Sequence, residues 1–203
     1  MKYLRTKHLP GSPGFTDDDE RLSSFDHFTG REVIWSEKLD GECTSMRTRV
    51  MHARSEESQH HPSQCWLKAF YASFAWKIPE YMQIVGESVY AKHSIFYDSL
   101  STYFYVFAVI DLQKRVFRSI DDTLQICEDF NLEFVPILRR GTFDSEFVVP
   151  KKSVFGDRVE GYVVRAVEEF SVEEMKTSVA KWRYPLEANK HWKTQWVPNK
   201  LKK

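Results

Sequence analysis

The sequence is short of several things, and each shortage excludes a class of protein. Three cysteines, Cys43, Cys65 and Cys127, are spread over 203 residues. Odd in number and scattered, they form neither a disulfide framework nor a Cys-x-x-Cys metal pair, and they point to a reducing compartment. No apolar run approaches the roughly 20 residues that a membrane-spanning helix requires. The N-terminus lacks a signal-peptide core. The expectation is a soluble, cytoplasmic protein with no membrane partner. Net charge is also missing: 29 acidic and 29 basic residues leave no global field for a polyanion. Binding of nucleic acid would have to come from a local basic surface. There are no internal repeats and no interior low-complexity linker, so residues 1–203 read as a single domain.

What is present is an ordinary globular composition, rich in aromatics, with punctuated strand and helix signals. The opening stretch is turn-rich: Leu9-Pro10-Gly11-Ser12-Pro13-Gly14 precedes the acidic run Asp17-Asp18-Asp19-Glu20, which reads as a solvated loop. Short strands are expected at Val33-Ile34-Trp35, Cys43 to Val50, Gln83 to Ser88, Tyr103 to Asp111, Glu133 to Leu138, Glu160 to Arg165 and Val179 to Arg183. Leu67, Phe70, Tyr71 and Phe74 recur at helical spacing between Trp66 and Trp76, and Pro79 lies beyond. Ser119 opens a second helix to about Phe130, with Asp121 and Asp122 in its first turn. His52, His60, His61 and Cys65 match no regular zinc spacing.

The stretch that organises the chain is Ser36-Glu37-Lys38-Leu39-Asp40-Gly41-Glu42. Asp-Gly between two strands is a turn signal. A hairpin there would hold Lys38 at a strand end, beside tight backbone that a phosphate can approach. Alone, Lys-x-Asp-Gly reads better as a hairpin carrying a solvated surface lysine. Four further features follow in order: Gly86-Glu87 closes a strand with a carboxylate, Tyr103-Phe104-Tyr105-Val106-Phe107 is an aromatic strand, Glu160-Gly161 opens another, and Lys181 sits in the middle of Val179-Ala180-Lys181-Trp182-Arg183.

That order resembles the covalent nucleotidyltransferase superfamily of polynucleotide ligases and capping enzymes. Lys38-Leu39-Asp40-Gly41 is similar to its signature lysine motif, and Glu160-Gly161-Tyr162-Val163-Val164-Arg165 to its Glu-Gly-x-Val-x-Lys/Arg motif. The resemblance runs from about residue 32 to residue 183. Within the superfamily, the segments 86–100 and 5–12 resemble phage-type RNA ligases. The fold so implied is α+β, an ATP-grasp-like ligase catalytic nucleotidyltransferase domain of mainly antiparallel sheets flanked by helices, with no large C-terminal domain.

The resemblance implies an ATP-dependent RNA ligase. Lys38 would form a lysyl-AMP phosphoramidate, AMP would pass to an RNA 5′-phosphate, and a 3′-hydroxyl would displace it. Lys38, Asp40 and Lys181 are then the catalytic set, Asp40 mainly shaping the turn and the metal-water network. Glu37, Lys38, Arg54, Glu87, Phe104, Glu160, Arg165 and Lys181 bind the nucleotide. Glu87 and Arg54 would lie near the ribose and Phe104 against the adenine. Phe107, on the opposite strand face from Phe104, defaults to the core. Mg²⁺ or Mn²⁺ is expected, with Glu160 its protein contact. A free lysine has a pKa of about 10.4, so attack on phosphorus calls for neighbouring cations and burial, and Lys181 and Arg165 are the expected cations.

Two departures stand out. The family motif often continues Lys-x-Asp-Gly-x-Asn, and Cys43 occupies the Asn position. Many relatives carry a further C-terminal domain that grips RNA; here the basic, aromatic segment 189–203, with Lys190, His191, Trp192, Lys193, Trp196, Lys200, Lys202 and Lys203, is the candidate substitute. An RNA-binding partner protein is a further candidate. A GTP-using capping-type guanylyltransferase and a non-catalytic nucleotide- or RNA-binding module on the same fold stay open as alternatives.

Overall fold

The computed structural model describes residues 1–17, 19–54, 61–147, 150–186 and 196–203. Two sheets form its frame. The first has five strands: β1 (Lys7–His8), β2 (Glu32–Lys38), β9 (Ile137–Thr142), β10 (Gly161–Ala166) and β12 (Val179–Arg183), in the order β1-β12-β10-β2-β9. Among the described residues its strand pairings are antiparallel apart from β1–β12, which is parallel. The second sheet contains β3 (Glu42–Arg47), β4 (Val50–Ala53), β5 (Met82–Ser88), β6 (Phe104–Asp111), β7 (Val116–Phe117) and β11 (Phe170–Ser171), in the order β11-β7-β6-β5-β3-β4. A short strand, β8 (Glu133–Phe134), joins β6 in parallel. The α+β class and the predominance of antiparallel pairing agree with the expectation.

Helices α1 (Cys65–Phe74) and α2 (Ile120–Phe130) cover the outer face of the second sheet. Leu67 and Phe74 of α1 and Cys127 of α2 pack with Met46, Ile84, Phe104, Val106 and Val109. The start of α2 follows its sequence: Ser119 Oγ accepts from the Asp122 amide (3.0 Å), and Asn131 closes the helix in the left-handed conformation. The outer face of the first sheet, with Val33, Trp35, Tyr162 and Val164, lies under the turn-rich N-terminal stretch through Leu9, Leu22 and Phe28. Between the sheets, Val85, Ala108 and Ile110 of the second pack with Ala166 and Val179 of the first. A third helix, α3 (Met175–Ser178), leads into β12. Among the described residues no helix is long and apolar enough to cross a membrane.

The expected hairpin around Asp40-Gly41 does not form. β2 pairs with β10 and β9, whereas β3 pairs with β4 and β5, so the turn carries the chain from one sheet to the other. The expected strand over 133–138 divides in the same way: β8 belongs to the second sheet and β9 to the first, with Val135 and Pro136 between them. The two crossings are neighbours, since the Glu37 amide donates to the Pro136 carbonyl (2.8 Å). A Cβ on Gly41 would run into the Ser88 carbonyl, so only glycine permits the first crossing to pass this close to β5.

Candidate active site

Strand register builds one wall of a cavity of about 380 Å³. In β2, Ile34, Ser36 and Lys38 line the cavity; the intervening Val33 and Trp35 enter the core on the other face. Across β10 and β12 the same faces continue in rows: Lys38 pairs with Gly161, which pairs with Arg183; Ser36 pairs with Val163, which pairs with Lys181; Ile34 pairs with Arg165, which pairs with Val179. Residues far apart in sequence thus become neighbours because three antiparallel strands are held in one register.

The second sheet supplies the facing wall. Cys43 of β3 and Glu87 of β5 are register partners, and both line the cavity. Phe107 of β6 also lines it. Phe104 does not: its ring is 1 % exposed in the core beneath α1 and α2. The expectation that Phe104 faces the ligand and Phe107 the core is therefore reversed. The cause is partly a bulge. Val85 pairs with Ala108 and Gly86 with Val106, which leaves Phe107 as the unpaired extra residue; bulges re-aim side chains next to functional sites. The Phe104 ring also lies over Gly86, where a Cβ would strike it.

The electrostatics around Lys38 also differ from expectation. Its Nζ lies 2.6 Å from Glu160 Oε2, and Glu160 Oε1 lies 3.1 Å from Arg183 Nε. Burial alone would lower the Lys38 pKa, but Glu160, Glu87 and Asp40 outweigh it and raise the pKa above its ordinary value. Lys38 is therefore stored as an ammonium ion among carboxylates, not as a neutral amine among cations. Glu87 is pushed up to about 8 by burial, opposed by Lys38 and reinforced by Glu160 and Asp40.

Both expected cations line the cavity, and both are already engaged by other partners. Lys181 lines the cavity, but its Nζ is paired with Asp19 Oδ1 at 2.9 Å. Burial lowers its pKa, with the Asp19 contact pulling the other way. Asp19 also faces the buried His8, whose Nε2 is 3.2 Å from Asp19 Oδ2 and whose Nδ1 is 2.8 Å from Ser12 Oγ. Ser12 Oγ accepts from the Arg183 amide, so its own proton is free to go to Nδ1. That leaves the proton of a neutral His8 on Nε2, facing Asp19. Burial, with Lys181 nearby, lowers the His8 pKa to about 4. Arg165 lines the cavity as well, yet its guanidinium donates to the Phe107 carbonyl (2.9 Å) and to the Arg118 carbonyl and stacks over Phe170 at 5.4 Å. It works as a strut between the sheets, and burial lowers its pKa to about 10.

Of the other expected residues, Arg54 lines the cavity, exposed at the end of β4. Glu37 is also among the cavity-lining residues, but its carboxylate is taken up by the Val154 amide (3.0 Å) and the Ser153 hydroxyl. Asp40 Oδ2 accepts from the Ser94 and Ile95 amides at 2.6 and 2.8 Å, which makes it the anchor of the loop that follows β5. Tyr3, Thr6 and His93 also line the cavity; none of them is an expected site residue, although Thr6 and His93 fall in the segments that resemble RNA ligases. Asp19 belongs to the acidic run expected as a solvated loop; nothing local announces that β1, beside it, pairs with β12. Arg183 was legible in principle, two residues after Lys181 and so on the same strand face.

A family model described as RNA ligase matches residues 31–183. The chain belongs to the RNA ligase family. Solved structures of Naegleria gruberi RNA ligase share its fold. One variant with ATP and Mn superposes at a TM-score of 0.62 and 12% identity, covering 96% of this chain and 58% of that one. The structure with PPi gives 0.60 and 14%, again covering 96% and 58%. A variant with AMP and Mn gives 0.59 and 12%, covering 90% and 56%. The chain thus spans somewhat more than half the length of these RNA ligases. A comparison with curated proteins gives no match.

In this RNA ligase domain, no group of three or more His, Cys, Asp or Glu that could hold a metal occurs among the described residues. What the site offers is single carboxylates: Glu87 lines the cavity and Glu160 lies beside it on Lys38, while the Asp40 carboxylate is taken up by the Ser94 and Ile95 amides. That set suits Mg²⁺ or Mn²⁺ held by one carboxylate together with phosphate oxygens and water, and it does not suit a metal held by protein alone. Of the basic tail, Lys190, His191, Trp192 and Lys193 lie outside the described residues. Trp196 packs against Tyr90, with ring centroids 5.6 Å apart.

Proposed function

We propose that this chain is the catalytic domain of an ATP-dependent RNA ligase in which Lys38 is the nucleophile. Its Nζ attacks the α-phosphorus of ATP, the bond to the β-phosphate oxygen breaks, and pyrophosphate leaves. AMP is then passed from Lys38 to an RNA 5′-phosphate, and an RNA 3′-hydroxyl displaces AMP to form the phosphodiester. The observation that carries this reading is Lys38, ion-paired with Glu160, lining one cavity together with Lys181 of the neighbouring row and with Glu87 and Phe107 of the facing sheet.

Each residue has a task in that chemistry. Phe107, not Phe104, offers a ring face to the adenine, with Val163 and Ile34 also lining the cavity. Glu87 and Arg54 serve the ribose. Lys181 exchanges its Asp19 contact for the nucleotide phosphates, a charge-assisted contact of the stronger kind. Arg165 stays in its carbonyl contacts and holds the two sheets in place. Glu160 is the carboxylate assigned to a divalent cation, which when bound supplies charge neutralisation at the phosphates. Lys38 loses its proton before it attacks, and in-line displacement then depends on how well the groups around it are positioned. The Naegleria structures with ATP, AMP and Mn support the choice of nucleotide and metal. The RNA ends and the tail's contribution to binding RNA are extensions of the same reading.

The test is incubation with α-labelled ATP and, separately, α-labelled GTP, with Mg²⁺ or Mn²⁺, followed by denaturing electrophoresis. Label from ATP should stay with the protein, survive alkali better than acid and disappear in Lys38→Ala. Equal labelling of that variant would reject the assignment, and preference for GTP would favour a capping-type reaction.

A further inference from the structure

The loop from Val89 to Tyr103 joins β5 to β6 without a strand or helix of its own. Its backbone groups need partners from elsewhere, and one segment supplies many of them. Residues 197–202 run alongside the loop: the Lys92 amide donates to Val197 (2.9 Å), the Asn199 amide to Tyr90 (2.8 Å), the Lys200 amide to Tyr97 (2.9 Å), the Leu100 amide to Lys200 (3.0 Å) and the Lys202 amide to Leu100 (2.8 Å). At the centre is Asn199, 1 % exposed. Its Oδ1 accepts from the Tyr97 amide (2.9 Å), its Nδ2 donates to the Val89 carbonyl (2.7 Å), and its own carbonyl accepts from the Tyr103 hydroxyl (3.1 Å).

The other side of this loop grips the nucleophile's turn. The Ser94 and Ile95 amides both hold Asp40 Oδ2, and the Tyr97 hydroxyl accepts from the Asp40 amide at 2.9 Å. His93 of the loop lines the cavity. Lys38 is two residues before Asp40, at the end of β2. A continuous set of hydrogen bonds therefore runs from Asn199 through Tyr97 to Asp40.

We infer that Asn199 is a positioning residue for lysine adenylylation: the 197–202 strap fixes the 93–97 loop, and the loop fixes the turn that presents Lys38. This rests on the reading of Lys38 as nucleophile. The segment expected from sequence to serve RNA thus has, in its last part, a task in the step that uses no RNA. A side chain that orients a nucleophile through two other residues should affect the rate of attack more than the binding of ATP, because small misplacements weigh most on the reacting geometry.

The test compares wild type, Asn199→Ala and Lys200→Pro; the last removes one strap amide and leaves the Asn199 side chain intact. Two quantities are measured: hydrogen exchange at the Asp40, Ser94 and Ile95 amides, and the single-turnover rate of Lys38 labelling with ATP. In Asn199→Ala the three amides should exchange about tenfold faster while those of β5 and β6 stay unchanged, since local opening need not involve the core. Labelling should slow about tenfold or more with ATP affinity changed less than about threefold. Lys200→Pro should move both quantities in the same direction, and it decides the matter if Asn199→Ala does not fold. Wild-type exchange at the three amides, or faster exchange with an unchanged labelling rate, overturns the inference. A general speeding of β5 and β6 exchange overturns it too, because Asn199 is then only a stabiliser. If the wild type takes no label at all, it is the nucleophile assignment that fails, and the exchange arm still decides whether the strap holds the turn.

Discussion

Phe104 and Phe107, three residues apart on β6, face opposite sides of it: Phe104 is sealed under the helices, and Phe107 lines the cavity between the sheets. Strict alternation puts them on opposite faces, and only the bulge at Gly86 and the packing of α1 and α2 decide which face each one takes.

Alanine at each position should separate the two roles. Phe107→Ala should weaken ATP binding by about 1–3 kcal/mol, the worth of a stacking contact, and should cost less stability than Phe104→Ala, because Phe107 is only half-buried and packs edge-on against Tyr3. Phe104→Ala should cost about 3–5 kcal/mol of stability through the cavity it leaves, with ATP affinity of the folded fraction preserved. Calorimetric titration and chemical denaturation of both variants check this; the opposite pattern would return Phe104 to the site.

The Lys38 ammonium predicts a pH dependence. Because its pKa lies above the ordinary 10.5 in the free protein, the neutral amine is scarce at neutral pH. The kcat/KM for labelling, which reports the free enzyme, should climb with pH throughout the range in which the fold survives. A plateau near neutrality would mean that Lys38 titrates far lower than the surrounding carboxylates allow.

Glu87 should make stability depend on pH. Its folded pKa of about 8 lies above its ordinary 4.5, so the folded protein holds the proton more tightly. Its contribution is full below pH 4.5 and is lost as pH rises through about 8. His8 has the opposite sign, with a folded pKa of about 4 against an ordinary 6.5; its contribution grows as pH rises between those values and is level above them. Between pH 6.5 and 8, then, wild type should lose stability at up to about 1.4 kcal/mol per pH unit from this group. Glu87→Gln should flatten that slope. Urea melts across this range give the comparison, and parallel slopes would remove Glu87 from the account.

Asp19 should compete with phosphate for Lys181. Asp19→Asn removes the charge while keeping the side-chain shape, so binding of pyrophosphate, measured at low salt, should tighten by about threefold to tenfold, typical of a released charge-assisted contact. The variant should also melt lower, because the buried His8 loses its charged partner. Weaker pyrophosphate binding in a folded variant would make Asp19 a contributor to the phosphate site instead of its rival.

Much of the site is local and could be read directly from the sequence. Lys38 in Lys-x-Asp-Gly, Glu87 at a strand end, Glu160-Gly161 and Lys181 are short patterns, and each side chain's face follows from the two-residue repeat of its own strand. The α2 boundaries were equally plain, because Ser119 and the two aspartates satisfy the helix start within four residues. Other features depended on which strands pair. The same Asp-Gly makes a hairpin or a crossing between sheets according to whether β10 or β3 takes the edge of β2, a choice made by residues more than a hundred positions away. The carboxylates around Lys38, the diversion of Arg165 to carbonyls, the Asp19–Lys181 pair and the seat of Asn199 all come from contacts between distant segments. The sequence determined the family and the side chains from which the candidate site is built, since side-chain type and spacing are local properties. The charged surroundings of Lys38 and the ring that lines the cavity were left to the tertiary structure, because charge and burial depend on neighbours that folding brings together.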